Sequence, residues 1–98
     1  MLTQKLKISR ILEICLAHGA VRIALFGSFA RGDADATSDI DLLVSFSSPR
    51  GLLEIVQMER ELTKSMGRKV DLITEGALSP YLRDRILSEE QVIYEKAG

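Results

Sequence analysis

The sequence predicts an α+β fold: a small mixed β-sheet with helices packed against one face. Three observations carry that expectation. Short apolar runs rich in strand-forming residues recur at 21–26, 39–46 and 69–74, each bounded by turn formers. Apolar residues at helical spacing fill 2–17 and 51–66. The first two strands are separated only by residues 27–38, which are too few and too polar for a right-handed parallel crossover. Those strands are predicted to pair antiparallel, and the third to join them after the longer helix.

Each element has a local cause. Leu2, Leu6, Ile11, Leu12, Cys15 and Leu16 predict a first helix over 2–17, with Gly19 as its stop. Val21 to Phe26 is β-branched and apolar, and Gly27 ends it. Residues 28–31 predict a short helical turn, and 32–38 a polar loop. Residues 39–46 form the second strand, with Ile40, Leu42 and Val44 on its buried side. Ser47-Ser48-Pro49 marks a helix entry. Leu52, Leu53, Ile55, Val56, Leu62 and Met66 then mostly share one helical face, with Glu59 the polar exception, and Gly67 caps the end. Residues 69–74 form the third strand. Ser79-Pro80 opens a helix to about Leu87, and 91–94 add a short last strand.

Ninety-eight residues predict one domain, 1–98, large enough for a modest core without disulfides. Apolar content of 46% and charged content of 28% are ordinary for a globular protein. Thirteen basic residues against fourteen acidic ones leave a net charge of -1, so there is no strong nucleic-acid signal. Cys15, the single cysteine, sits in an apolar helical pattern and reads as a buried structural thiol. Nothing resembles a membrane span or a signal peptide, and a cytoplasmic location is expected. His18, at a helix end, reads as a cap whose charge suits the helix dipole. Tyr81 and Tyr94 read as packing residues, and Arg83, Asp84 and Arg85 as a solvated face.

The chemistry concentrates in residues 25–44. Gly27 and Ser28 follow the first strand, and ten residues later Asp39 and Asp41 open the second. Side chains at i and i+2 of a strand point the same way, so both carboxylates can converge on one cation. Hard divalent cations take such oxygen ligands together with substrate phosphates. Aspartate is disfavoured inside strands, and two like charges on one side repel unless a cation lies between them. A glycine lets backbone approach closely, and a serine offers a hydroxyl for phosphate. The plainer readings are a capped turn for Gly27-Ser28 and loop-end carboxylates for the aspartates. Asp71 interrupts the third strand; it can reach the same cluster or simply pair with Lys69. Arg31 is placed to grip phosphate in a bidentate way or to stay solvated.

Gly27-Ser28, ten residues, then Asp39-x-Asp41 resembles the signature of the DNA polymerase beta-like nucleotidyltransferases, and Asp71 matches the family's third acidic residue. The chain's size resembles the minimal nucleotidyltransferases, many of them antitoxins paired with HEPN-domain toxins. The resemblance implies a palm-like core and a catalytic set of Asp39, Asp41 and Asp71 holding two Mg2+ ions, with Mn2+ as the other candidate. It implies ATP as donor, held by Gly27, Ser28 and Arg31. It further implies transfer of AMP to a hydroxyl, a tyrosine on a HEPN ribonuclease toxin, in a homo- or hetero-oligomer. A core of this size leaves little chain for an acceptor domain, which favours a protein acceptor. The alternatives are a non-catalytic antitoxin that neutralises by binding, and a small-molecule transferase of the antibiotic type.

Overall fold

The computed structural model describes residues 7–97. In chain order it runs α1 (Ile8–Ala17), β1 (Ala20–Phe26), α2 (Ser28–Arg31), β2 (Ile40–Phe46), α3 (Leu52–Met66), β3 (Val70–Thr74), a 3-10 turn (Glu75–Ala77), α4 (Pro80–Glu89) and β4 (Gln91–Glu95). The expected start of α1 at residues 2–6 lies outside the described residues. The other elements form where sequence placed them, to within about two residues.

The four strands lie in the order β3-β2-β1-β4. β1 pairs antiparallel with β2 and with β4, while β2 and β3 run parallel. The α3 crossover supplies the length that a parallel connection needs. Gly67, at φ 72°, ends α3 in the left-handed conformation that a glycine adopts without strain.

Alternation along the strands builds the core. Ile23, Leu25, Ile40, Leu42 and Val44 are fully buried and meet Ile11 and Cys15 of α1 and Met58 and Leu62 of α3. Burying each large aliphatic side chain contributes about 1.5–3 kcal/mol, so this face dominates the stability. Burial also pushes the Cys15 thiol up to about 12, which suits a structural thiol and not a nucleophile.

Two expectations are corrected. The helices do not all share one face, because Ile86 of α4 packs on Ala24 and Leu43 on the opposite side. Leu43 is as apolar as its neighbours, so the second face also needs a cover. In α3 the buried residues are Met58 and Leu62, whereas Leu52 and Leu53 are 78% and 80% exposed. The first turn of α3 stands clear of the sheet, and the inward stripe begins one turn later.

Glu59, the polar exception on that helix, has a structural reason. β3 is an edge strand, and its outward amides would otherwise go unpaired. The Leu72 N–H donates to Glu59 Oε2 at 2.8 Å, and the Val70 N–H to Thr63 Oγ1 at 3.1 Å. α3 therefore finishes the sheet edge with side chains.

Charged groups tie the remaining ends together. Arg22 on β1 pairs with Glu90, Glu75 and Glu95, joining β4 and the 3-10 turn to the sheet. His18 caps α1 through its backbone, and its ring lies between two glutamates of α3, Nδ1 3.3 Å from Glu54 and Nε2 3.1 Å from Glu61. These contacts, Glu61 foremost, raise the imidazole above its ordinary 6.5. A raised folded-state value gives stability that is complete below about 6.5 and lost as pH climbs through the raised value. His18→Gln should therefore lower the melting temperature at pH 6 and cost much less at pH 9. The effect corresponds to no more than about 1 kcal/mol, because the pair is partly solvated. Thermal denaturation of both proteins at the two pH values checks this, and an equal loss at both would contradict it.

Candidate active site

The site grows out of the first turn after β1. Gly27 has φ 71° and ψ -151°, a backbone open to glycine but strained for other residues. A Cβ at this position would overlap Asp41 Oδ2. Gly27 is thus required twice, by its own conformation and by the carboxylate lying over it. It is also the N-cap of α2, so Ser28 is the first residue of the turn and not its cap. The Arg31 N–H donates to Gly27 O at 3.0 Å and the Gly32 N–H to Ser28 O at 3.0 Å, closing the turn.

β2 then delivers the carboxylates. Asp41 is paired in register with Phe26 of β1 on one side and with Asp71 of β3 on the other. Residues in register across neighbouring strands share a face, so the two aspartates stand side by side. Asp41 is half-buried, and its carboxyl is pushed up from 3.8 to about 6. Burial is the largest cause, followed by repulsion from Asp71 and then from Asp39, with a hydrogen bond to Asp71 adding to it. Arg31 pulls in the opposite direction.

The other expected residues take different positions. Asp39 is exposed at the mouth of β2. Lys69 Nζ lies 3.7 Å from Asp71 Oδ1, so the structural pairing anticipated for Asp71 is present. Both side chains are substantially exposed, and such a pair is worth about 0–1 kcal/mol, too little to hold Asp71 from a dication. Arg31 Nε is 3.3 Å from Asp33 and its NH1 is 3.6 Å from Glu89. Its guanidinium is engaged by carboxylates here and would have to exchange them for phosphate. Tyr81 is 94% exposed and does not pack, whereas Tyr94 lies against the core as expected.

Among the described residues no three His, Cys, Asp or Glu side chains gather round one ion position. The structure brings Asp41 and Asp71 together and leaves Asp39 beside them. The donor set nonetheless fits a hard dication. It is all oxygen, it stands over a glycine turn, and its mutual repulsion is what a cation relieves. A hollow of about 370 Å³ lined by Ser45, Phe46, Arg50, Thr74 and Glu75 opens at the far ends of β2 and β3. It is remote from the carboxylates and carries none of this chemistry.

Nothing local in the sequence marks Arg68. Its NH1 donates to Ser38 O at 3.0 Å and to Asp35 O at 3.1 Å, and its guanidinium stacks 5.1 Å from the Phe29 ring centroid.

Comparison with known proteins decides the family. The nucleotidyltransferase domain family matches residues 8–93. The chain belongs to the nucleotidyltransferase family. This nucleotidyltransferase is 44% identical over 80 residues to the putative protein adenylyltransferase MJ0435 of Methanocaldococcus jannaschii, covering 82% of this chain and 86% of that one. It is 34% identical over 82 residues to the protein adenylyltransferase MntA of Thermococcus cleftensis, covering 84% and 81%. The fold superposes on the structure of a putative minimal nucleotidyltransferase with a TM-score of 0.78 at 40% identity, over 91% of each chain. It also matches a chain of the MntA toxin-antitoxin complex with a TM-score of 0.82 over 93% of this chain and 74% of that one. At 20% identity this is a likeness of fold.

The crowded carboxylates give a direct expectation. Asp41→Asn removes one of the mutually repelling charges, so the metal-free variant at pH 7.5 should melt a few °C higher than wild type, on a scale of about 4–8 °C per kcal/mol. Mg2+ should raise the melting temperature of wild type and leave the variant unmoved. A variant less stable than wild type without metal would mean that the carboxylates are not in conflict.

Proposed function

We propose that this nucleotidyltransferase moves AMP from ATP onto a hydroxyl of a partner protein, a tyrosine of a HEPN ribonuclease toxin, and so acts as its antitoxin. The observation that carries the reading is the pairing of Asp41 with Asp71 over Gly27, with Asp39 beside them. One curated relative is named a protein adenylyltransferase and another a putative protein adenylyltransferase, and one fold relative is a toxin-antitoxin complex with AMP-PNP.

The residues divide the work. Asp39, Asp41 and Asp71 would hold Mg2+, which supplies charge for the triphosphate and lowers the pKa of the acceptor hydroxyl. The Gly27–Ser28 turn would receive the β- and γ-phosphates through its backbone amides and the Ser28 hydroxyl, beside the Asp41 carboxylate that lies over Gly27. The acceptor oxygen attacks the α-phosphorus, a new oxygen–phosphorus bond forms, and the bond to the bridging oxygen of the β-phosphate breaks. Pyrophosphate leaves with that electron pair. Asp71 would take the proton of the hydroxyl. The protein contributes position and electrostatics more than covalent chemistry. Adding AMP near an RNase site would place bulk and negative charge where RNA phosphates bind, which explains neutralisation by occlusion and repulsion.

The test is intact-mass measurement of the product of the adjacent gene after incubation with this chain, ATP and Mg2+. The expected result is a gain of one or more AMP masses with wild type, falling about 100-fold or more with the Asp39→Asn/Asp41→Asn double variant. Fragmentation then locates the acceptor residue. A partner silenced in a stable complex with no change in mass would replace transfer with neutralisation by binding alone.

A further inference from the structure

Arg68 touches two segments that the site depends on and stands at the start of a third. The Asp35–Ser38 turn is closed on itself: Asp35 Oδ1 accepts from the Thr37 N–H at 2.9 Å and from Thr37 Oγ1 at 2.8 Å, while the Asp35 N–H donates to Ser38 Oγ at 2.9 Å. This turn presents the carbonyls of Asp35 and Ser38 to a single guanidinium nitrogen of Arg68. The next residue after Ser38 is Asp39, and two further on is Asp41. The same guanidinium lies over Phe29, which is 3% exposed and follows Ser28 in the α2 turn. Arg68 itself stands two residues before β3, where the Ile40 N–H donates to Lys69 O at 2.9 Å.

We infer that Arg68 is a positioning residue for the metal site, fixing the approach of Asp39 and Asp41 relative to the Ser28 turn and to Asp71. The inference rests on the reading of the three aspartates as metal ligands. A charged donor shared by two carbonyls is stronger than a neutral one, and the stacked plane fixes its direction. A lysine would keep the charge but lose the stacked plane and the rigid fork. Groups that orient metal ligands from behind typically change metal affinity by about 10–100-fold when removed. If Arg68 served the loop's stability alone, the affinity of the folded protein for metal would not follow it.

The experiment is a titration of Mn2+ into the nucleotide-free protein, following the electron paramagnetic resonance signal of the free ion. Wild type, Arg68→Ala, Arg68→Lys and Asp39→Asn/Asp41→Asn are compared, each checked for cooperative unfolding well above the working temperature. The expected result is Mn2+ binding by wild type that is about 10–100-fold weaker in Arg68→Ala and at least about 10-fold weaker in Arg68→Lys. If Arg68→Ala does not fold, Arg68→Lys decides. Folded Arg68 variants that bind Mn2+ as tightly as wild type would overturn the positioning role while leaving the metal site intact. Equal Mn2+ binding by wild type and the double aspartate variant would overturn the metal site itself, and the inference with it.

Discussion

The parallel register of β2 and β3 is the constraint on which the rest of the molecule depends. It sets Asp41 opposite Asp71 with no freedom to separate, and the face it chooses is not the one that carries the main core. Ile40, Leu42, Val70 and Leu72, the residues between and beside the aspartates, point to the opposite side and are buried by α1 and α3. A slip of one residue in either strand would exchange carboxylates for core. Hydrophobic burial therefore enforces the electrostatic conflict, which is cheaper for the fold to tolerate than the loss of a core face. The conflict is visible in the Asp41 carboxyl, held at about 6 by burial and by its acidic neighbours.

The surroundings of that register are built to keep it. α3 supplies Glu59 and Thr63 to the amides of edge strand β3, so the strand bearing Asp71 is fastened on its open side. Gly27 leaves room for the Asp41 carboxylate, and the loop before Asp39 is closed by its own Asx-type turn. Arg22 draws β4 and the segment after β3 to the second face through three glutamates. Each of these contacts acts on an element that carries or adjoins a site residue.

What was legible in the sequence follows from the range of the interactions involved. β-branched runs, helical spacing and turn residues are local, and they gave the strands, the helices, the antiparallel β1–β2 pair and a third strand joining a mixed sheet after the longer helix; that it runs parallel beside β2 is visible only in the folded sheet. The spacing from Gly27-Ser28 to Asp39 and Asp41 is also local, and it led to the family that the comparisons establish. The packing of α4 on the second face was not legible, because Ile86 meets Ala24 and Leu43 only through the folded sheet. Nor was the choice of Met58 over Leu52, which depends on where the sheet ends beneath α3. Nor were the roles of Glu59, the polar exception on an apolar face, and of Arg68. Their partners, a strand amide and two loop carbonyls, leave no trace in composition or periodicity.

The most direct test of the central claim is the anomalous diffraction of crystals grown with Mn2+ and a non-hydrolysable ATP analogue. Manganese peaks are expected within about 2.0–2.3 Å of the carboxylate oxygens of Asp41 and Asp71, with Asp39 drawn in and the triphosphate over Gly27 and Ser28. Manganese bound elsewhere, with Asp71 still held by Lys69 and Asp41 unligated, would contradict it.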